Sequence, residues 1–580
     1  MTDDLSGESR MRTNPQPGTA EWASVTMIVC LAAWLRFRGF DTLAVEHFDE
    51  GVYASNYWFA AQDGFQYPNR HLYAPPLLPA LIEFLFQQAG PSNAAAMLVS
   101  LVLGTLTVPL VWWVGRRWFG AIAGMTAAYF CAASDLHILL SRACLTDVML
   151  TFWLILSIWQ MWEALAHQRT MAAVAAGITT ALAWWTKYNG WLPLAVSLGG
   201  LSLWFLWTRS QGDRSEAAVR GWRWLVATTI AVALWVPCVW SLQAEGGYAA
   251  VMANHRSYIV GVGGAAGAML EHLRDEAALQ TWVSVGTGAC LFLLMSLAVA
   301  TRFTWNTRRG VSTLAFGMVA SIAGLYVLPL ALWGLGCQGL FSELGHSSSS
   351  GRGHLLPAQR PRQLAGCFLA VWLVGLFVLT SMYTPYPRLW LPCSSGGWFA
   401  AGLAVSQVIH FTWNQTAMPT ARLREGLVVL ALVVMAGLLS LVPPSTGIQP
   451  RTAMVDLCDR IRNTVFSDLK GRVNERDGYI VYVHGEPALF FQLRLAGSDL
   501  VRPVQNLGFA APGAPRQALP TYVVIGPHAR LVPDFESELQ RALPRLQRVG
   551  VIEESVSLLV SLDAWGRFEP RQEFEVYRCR

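Results

Sequence analysis

Charged residues are scarce in this chain. Only 14% of its 580 residues are Asp, Glu, Lys or Arg, whereas 53% are hydrophobic, and the mean hydropathy is +0.37. A soluble globular protein carries about a quarter charged residues, and a disordered chain is poorer in apolar residues than this one. The composition therefore excludes both classes for most of the length and indicates many helices buried in lipid.

Net charge is also low, at +5, and the arginines lie in short clusters between apolar runs instead of forming one basic face. Clusters of this kind are typical of the cytoplasmic loops of membrane proteins, whereas nucleic-acid-binding domains concentrate their positive charge on one surface. We therefore expect membrane lipids, and no nucleic acid, among the partners.

The ten cysteines include no CxxC pair and no Cys/His metal spacing. The usual sequence signal for a zinc site is thus missing, and cysteines inside apolar runs are expected to be small buried side chains. Cys458 and Cys579 lie near the two ends of the last region and could pair in an oxidising compartment. Internal repeats, which many secondary transporters show, are absent as well.

Long apolar runs are abundant. A membrane-spanning helix needs about 20 mostly apolar residues, and the candidate spans are 22–38, 93–115, 118–134, 147–166, 171–187, 190–208, 223–244, 279–301, 311–335, 364–382, 396–415 and 425–443. They predict a mainly α, polytopic membrane protein with about 11–13 transmembrane helices. The segment before Ala20 is too long and too acidic for a cleaved signal sequence, so the first run is expected to remain as an anchor.

Arginine positions predict the topology. Arg10 and Arg12 place the N-terminus in the cytoplasm, and strict alternation puts later arginine clusters on the same side, at Arg116-Arg117, Arg169, 209–223 and 302–309. The outer side then receives the loops 39–92, 135–146, 187–190 and 245–278. This alternation fails at the uncharged block 311–342, which is expected to be re-entrant or to cross twice. If it does not change sides, the loop Tyr383–Pro392 and the C-terminal region are external.

Composition changes to that of a soluble domain after about residue 450. We predict strands at 479–483, 521–525, 551–561 and 573–578, and helices at 487–496 and 534–547. The predicted domains are a cytoplasmic tail (1–21), a transmembrane domain (22–443) and a small extracytoplasmic α/β domain (444–580).

Polar residues collect in the predicted outer loops. Acids can deprotonate a nucleophile, and cations can hold a phosphate leaving group, so a cluster at one bilayer surface suits a reaction on a charged, lipid-linked substrate. The candidates are Asp49, Glu50, His71, Tyr73, Asp135, His137, Arg142, Asp147, Lys187 and Arg388.

Five segments, taken in order, resemble a known family. They are His47–Ala54 (HFDEGVYA), His71–Leu77 (HLYAPPL), Ser141–Asp147 (SRACLTD) with Phe152, Thr186–Gly190 (TKYNG) and Tyr386–Pro392 (YPRLWLP). The set is similar to the GT-C membrane glycosyltransferases of the protein O-mannosyltransferase and lipid A aminoarabinose transferase superfamily. The resemblance covers roughly residues 22–443, and the order of the motifs at matching membrane positions carries it more than any single motif does.

This resemblance implies an inverting transfer from a polyprenyl-phosphate sugar to a hydroxyl or phosphate of a protein, lipid or glycan acceptor. The base is Asp49, with Glu50 beside it as part of the catalytic pair and expected to orient the loop. Donor or lipid-phosphate binding is expected from Arg142, Asp147, Lys187 and Arg388, with weaker candidates at His71, Tyr73 and Tyr386. No cofactor is required, and a divalent metal is possible but not indicated.

One position departs from the family pattern. The aminoarabinose transferases have a Lys before the paired prolines of the first loop, where this chain has Ala74, while the protein O-mannosyltransferases have a His near those prolines, here His71. The missing Lys argues against aminoarabinose as the donor sugar. It moves the expected phosphate contacts to Lys187, Arg142 and Arg388.

Other readings stay open at this stage. The charged candidates could be ordinary interfacial ion pairs or helix-end anchors, and the protein could be a secondary transporter or a non-catalytic glycan-binding membrane protein. A transporter would place charges near the bilayer midplane, whereas here they lie at one surface. The expected location is the inner membrane of a bacterium, with the active site facing outward.

Overall fold

The computed structural model describes residues 16–58, 66–209, 215–243, 246–279, 360–413, 449–470, 478–497, 500–510, 519–532, 534–555, 557–561 and 571–580. Three predicted spans (279–301 beyond its first residue, 311–335 and 425–443), the apolar block 311–342 and the predicted boundary at residue 444 lie outside these residues.

The membrane part is helical. Its helices are α1 (Thr19–Phe37), α2 (Phe48–Ala54), α3 (Leu77–Ala89), α4 (Asn93–Phe119), α5 (Ala121–Ala133), α6 (Asp135–Ser141), α7 (Thr146–Ala166), α8 (Thr170–Thr186), α9 (Leu192–Arg209), α10 (Ser215–Leu242), α11 (Gly247–Arg256), α12 (Gly261–Leu279), α13 (Arg360–Ser381) and α14 (Leu391–Trp413). Nine of the twelve predicted spans coincide with one of these helices.

Within the described part of the chain, five helical segments are long and apolar enough to cross a membrane: Thr19–Thr42, Asn93–Phe119, Thr146–Ala166, Val219–Leu242 and Arg360–Ser381. A sixth span is possible if α5 and α6 act together across their bend of 59°. Ser134 causes this break because its side chain accepts a hydrogen bond from the backbone N–H of His137 and so caps a new helix. The segment 135–146, predicted as a loop, is therefore partly helical.

Basic residues from several helices meet at one end of the bundle. Arg116 of α4 pairs with Glu21 of α1 at 2.7 Å, and Arg117 and Arg169 both pair with Glu163 of α7, at 2.6 and 3.3 Å. The start of α13 reaches the same end, since the indole N–H of Trp162 donates to the carbonyl of residue 361 over 2.9 Å. Arginine clusters assigned to one side by the sequence thus lie at one end of the structure.

Helices also occupy the predicted outer loops. The first loop contains α2 and α3, and the loop 245–278 contains α11 and α12, none of which the apolar runs predicted. A bridge pairs Ile259, between α11 and α12, with Tyr383, and the N–H of Thr384 donates to the carbonyl of Tyr258 over 2.7 Å. The loop that follows α13 therefore packs against another loop that is predicted to be external.

The C-terminal region folds as an α/β domain. It comprises α15 (Ala453–Leu469), β1 (Ile480–His484), α16 (Pro487–Leu495), β2 (Val501–Val504), β3 (Thr521–Ile525), α17 (Phe535–Ala542), β4 (Leu546–Ser555), α18 (Leu558–Ser561) and β5 (Arg571–Cys579). The sheet order is β2-β1-β3-β5-β4, with β1 parallel to β2 and β3, and β5 antiparallel to β3 and β4. The predicted fold class, mainly α with a small C-terminal sheet, is confirmed.

Some predicted boundaries in this domain were wrong. The helix predicted over 534–547 ends at Ala542, because Pro544 cannot continue it. The chain then enters β4 at Leu546, five residues before the predicted strand. Short β2 and amphipathic α15 were missed, and Cys458 and Cys579 are both free thiols.

The α/β domain packs directly on the first outer loop. A Cβ added to Gly51 of α2 would lie 2.2 Å from the backbone nitrogen of Ala488 in α16, so the two helices meet backbone to backbone. The amide of Gln492 donates to the carbonyl of Val45 over 2.9 Å. One buried apolar cluster runs from the membrane helices through this junction into the sheet.

Candidate active site

The short helix α2 is organised by the residues at its start. The ring of His47 accepts a hydrogen bond from the N–H of Asp49, and the carboxylate of Glu50 accepts from the N–H groups of Glu46 and His47, over 3.0 and 2.9 Å. This is a capping box, which satisfies helix-start donors that would otherwise lack partners. It fixes where α2 begins and which way its acids point.

Asp49 faces a cavity of about 210 Å³ at the end of the bundle opposite the arginine cluster. Its side chain pairs with the guanidinium of Arg388, which lies in the loop after α13. That guanidinium also lies over the ring of Tyr386, 4.1 Å from its centroid, and the Tyr386 hydroxyl is 3.3 Å from Nε2 of His47. The polar residues of the cavity wall include Asp49, Tyr53, Tyr73, Lys187, Tyr386 and Arg388.

Lys187 brings the second cation to the cavity. It follows α8 directly, and its ammonium lies 2.6 Å from a carboxylate oxygen of Asp147 at the start of α7. Asp147 is buried behind the lysine and does not line the cavity. Two acid–base pairs, Asp49–Arg388 and Asp147–Lys187, thus come from four segments that are distant in sequence.

Glu50 points away from the cavity and is fully buried. Besides its two bonds within the capping box, its carboxylate accepts a hydrogen bond from the N–H of Cys144 over 2.8 Å and pairs with Arg451. Arg451 also donates to the carbonyl of Arg142 over 2.9 Å. Glu50 therefore joins the first loop, the second loop and the α/β domain, which is an orienting role.

Besides Glu50 and Asp147, two further predicted site residues lie outside the cavity wall. Arg142 is 1% exposed, and its guanidinium donates to the carbonyls of Arg36 and Arg38 over 2.8 and 2.6 Å. His71 is buried, and its carbonyl accepts a hydrogen bond from the hydroxyl of Tyr188. A phosphate role for either residue stays a prediction, and these contacts favour a structural one.

Several site residues were not predicted. Tyr53, Asn254, His255 and Tyr258 line the cavity, and Arg451 holds Glu50. Membership of an outer loop was the available signal for the three residues at 254–258. Nothing in the local sequence marks Arg451, because its partner is 401 positions away.

The electrostatics of Asp49 follow from these contacts. Burial alone would raise the pKa of its carboxyl, but the Arg388 guanidinium, with smaller contributions from His47 and Lys187, holds that pKa below its usual value. The carboxylate is therefore ionised, and able to accept a proton, even in mildly acidic solution.

Replacing Arg388 with Gln should raise the pKa of Asp49, because burial then acts with less opposition. Since the base form exists above that pKa, the acidic limb of kcat/KM against pH should move to higher pH. Lys187→Met is the matched control, because Lys187 contributes less than Arg388 to the Asp49 pKa. The acidic limb of kcat/KM in this variant should therefore move less. A limb that stays in place in the Arg388 variant, or moves to lower pH, would contradict this account.

Comparisons with known proteins match part of the sequence and the overall fold. Residues 26–247 match the family model described as dolichyl-phosphate-mannose-protein mannosyltransferase, a stretch that contains Asp49, Asp147 and Lys187. No curated protein sequence matches the chain.

Among solved structures, the chain is similar to ArnT from Cupriavidus metallidurans bound to undecaprenyl phosphate, with 16% identity, coverage of 96% of this chain and 98% of that chain, and a TM-score of 0.53. The apo oligosaccharyltransferase of Archaeoglobus fulgidus is a further match, with 12% identity, coverage of 91% of this chain and 73% of that chain, and a TM-score of 0.49. The match to ArnT shows that the fold is of the GT-C type. The model that matches residues 26–247 describes a protein mannosyltransferase, one of the two kinds of enzyme that the sequence motifs resemble.

Proposed function

We propose that this protein is a glycosyltransferase that transfers a sugar from a polyprenyl-phosphate donor to a hydroxyl or phosphate oxygen of a protein, lipid or glycan acceptor, with inversion at the anomeric carbon. The observation that carries the proposal is the cavity in which Asp49 faces Arg388 and Lys187. A base and two cations within one small cavity match the needs of a transfer that releases a phosphate.

Asp49 is the proposed base for a hydroxyl acceptor. Its carboxylate takes the proton of that hydroxyl, and the oxygen attacks the anomeric carbon from the face opposite the phosphate. The bond between that carbon and the phosphate oxygen breaks, and its electron pair leaves with the polyprenyl phosphate. Arg388 and Lys187 stabilise the charge that develops on this phosphate, because cations aimed at a leaving group lower the barrier in a buried site.

The rest of the cavity wall supports a lipid-linked donor. It includes Leu72, Leu192, Leu376, Leu379 and Leu389, and two of its apolar residues, Trp191 and Leu379, are exposed on the bundle surface. An isoprenoid tail fits such a surface because lipid and leucine side chains are equally apolar. The family model's name refers to dolichyl phosphate and the ArnT structure contains undecaprenyl phosphate; both are polyprenyl phosphates.

We place the cavity on the outer face of the membrane. The opposite end of the bundle carries Arg116, Arg117 and Arg169, and such clusters mark the cytoplasmic side. This orientation puts the α/β domain outside as well, since it packs on the loop that contains Asp49.

Binding of undecaprenyl phosphate, the expected kind of product, tests the donor site. In lipid nanodiscs, wild type should bind this lipid, and Lys187→Met should weaken binding about tenfold or more, since a charge-assisted hydrogen bond contributes about 1.5–3 kcal/mol. Arg169→Met, which removes a cation at the other end of the bundle, should leave binding unchanged. Transfer is then assayed with a panel of polyprenyl-phosphate hexoses and pentoses, and the anomeric configuration of the product is read by NMR. Absence of both binding and transfer in wild type would refute the proposal.

A further inference from the structure

The parallel strands of the α/β domain end beside the active site. His484-Gly485-Glu486 forms the carboxyl end of β1, and Gly526-Pro527-His528 follows the carboxyl end of the neighbouring β3. In open α/β sheets, functional side chains gather at this edge. Here the edge holds one acid, Glu486, and two imidazoles, those of His484 and His528, and none of the three belongs to the cavity wall.

Glu486 and His528 form a tight pair. Glu486 is 2% exposed, and its carboxylate accepts two hydrogen bonds from His528, one from the backbone N–H and one from Nδ1, both over 2.8 Å. Two glycines leave the space that this pair needs. A Cβ on Gly526 would lie 2.3 Å from Oε1 of Glu486, and Gly485, at φ +70°, would place a Cβ 2.7 Å from the backbone nitrogen of Ala529. Because a carboxylate only accepts, Nδ1 of His528 carries a proton.

The pair reaches the catalytic helix through an aromatic contact. The ring of His528 lies against the ring of Phe48, with centroids 5.1 Å apart, and Phe48 in turn lies against Tyr73 at 5.5 Å. Phe48 is the first residue of α2 and precedes Asp49 directly, and Tyr73 lines the cavity. A side chain of the α/β domain thus abuts the residue next to the proposed base.

A second contact supports α2 from the same direction. Pro487 and Ala488, which follow Glu486, contact Gly51 of α2 so closely that a Cβ at Gly51 would have no space. Residues three apart on a helix share a face, so Phe48 and Gly51 both turn toward the α/β domain. Asp49 and Tyr53, four apart, both line the cavity. A helix of seven residues does not hold its shape alone, and its orientation depends on these contacts.

We propose that the Glu486–His528 pair is a positioning element of the active site, which holds Phe48 and thereby fixes the turn of α2 that presents Asp49 to the cavity. The pair acts through α2 and touches neither donor nor phosphate. This inference rests on the proposed function for its kinetic consequence. Its structural consequence, the ordering of α2, is independent of any substrate.

The test compares Glu486→Ala, Glu486→Gln and Asp468→Asn in the full-length protein. Alanine removes both acceptors. Glutamine retains the pair, because its carbonyl accepts from the backbone N–H while its amide donates to the other tautomer of His528. Asp468, whose partners Arg578 and Tyr522 lie on the sheet, controls for loss of an acid elsewhere in the domain.

Glu486→Ala should lower kcat about ten- to a hundredfold, since small displacements of a catalytic group have effects of this size. Binding of undecaprenyl phosphate should stay within twofold, because Arg388 and Lys187 remain in place. Glu486→Gln should recover most of kcat, and Asp468→Asn should keep it. In parallel, amide hydrogen exchange of residues 48–54 should become faster in Glu486→Ala alone.

Equal losses of kcat in Glu486→Ala and Asp468→Asn, no rescue by Gln, or a loss of lipid binding together with kcat would each overturn the inference. Unchanged hydrogen exchange in α2 would overturn it as well. If wild type neither binds the lipid nor transfers sugar, the proposed function fails instead, and the exchange rates of 48–54 still decide whether the pair orders α2.

Discussion

Replacing Asp49 with Asn is expected to lower kcat about 10²- to 10⁴-fold, the usual contribution of a positioned general base. Asparagine has nearly the same shape but cannot take a proton from the acceptor. The folded protein should persist, since Asp49 pairs with a cation that also faces the cavity. The measurement is sugar transfer by purified protein, with the amount of folded protein checked by gel filtration.

The same variant should bind undecaprenyl phosphate more tightly than wild type does, by about tenfold, or about 1.4 kcal/mol. In the structure, Arg388 is neutralised by Asp49 and Lys187 by Asp147, so a phosphate must compete with a carboxylate for each cation. The Asp49→Asn change removes one of these competitors. A loss of transfer caused by misfolding would weaken lipid binding instead, which separates the two explanations.

Asp41→Asn is the matched control for Asp49→Asn. Asp41 is another acid of the first outer loop, but it is exposed and does not line the cavity. Its replacement should leave both transfer and lipid binding at the wild-type level. Full transfer by Asp49→Asn, or equal losses in the two variants, would show that Asp49 is not the base.

Removing Arg451 should have the largest effect on stability. Arg451→Gln leaves the carboxylate of Glu50 buried without its cation, and breaking a buried pair in this way costs about 3–5 kcal/mol. Both side chains are nearly inaccessible, at 6% and 0% exposed, so water cannot replace the lost partner. The expected result is a large fall in the denaturant concentration at which the purified protein unfolds.

Two further measurements test whether loss of the Glu50–Arg451 pair causes this fall in stability. Burial acts to raise the pKa of Glu50, but Arg451 and the backbone N–H groups of His47 and Glu46 together more than offset it, so the folded-state pKa lies below the unfolded one. The stability that this pair contributes is present above the unfolded pKa and is lost as the pH falls through the folded value. The difference between variant and wild type should therefore shrink in acid. Glu50→Gln in the Arg451→Gln background should restore part of the stability, and a double variant no better than the single one would contradict the pairing.

The sequence was sufficient to predict that three charged groups of the cavity wall lie at the same end of the bundle. Apolar run lengths and arginine clusters determine at which end of the bundle each loop lies, and this placed Asp49, Lys187 and Arg388 together although 339 positions separate the first from the last. The order of the motifs then suggested the chemical role proposed for each of these residues. Both signals are local patterns, and for that reason they can be read from one chain.

Side-chain direction within a loop was not predictable. Arg142, like Lys187, is a cation in a predicted outer loop. Its guanidinium, however, donates hydrogen bonds to the backbone carbonyls of Arg36 and Arg38. The helices α2, α3, α11 and α12 were missed because short or weakly apolar segments carry little periodic signal, and packing against neighbours decides their structure. The Glu50–Arg451 pair depends on a contact across 401 positions, for which a single sequence holds no local sign.

That long separation has a consequence for the timing of biosynthesis. A ribosome makes the chain from the N-terminus, so α2 emerges long before Arg451, Glu486 and His528 exist. During that interval the first outer loop lacks its ion-pair partner, its backing helix and its aromatic neighbour. We therefore expect the nascent protein to be catalytically silent until residues 451–528 have been made and have docked on this loop.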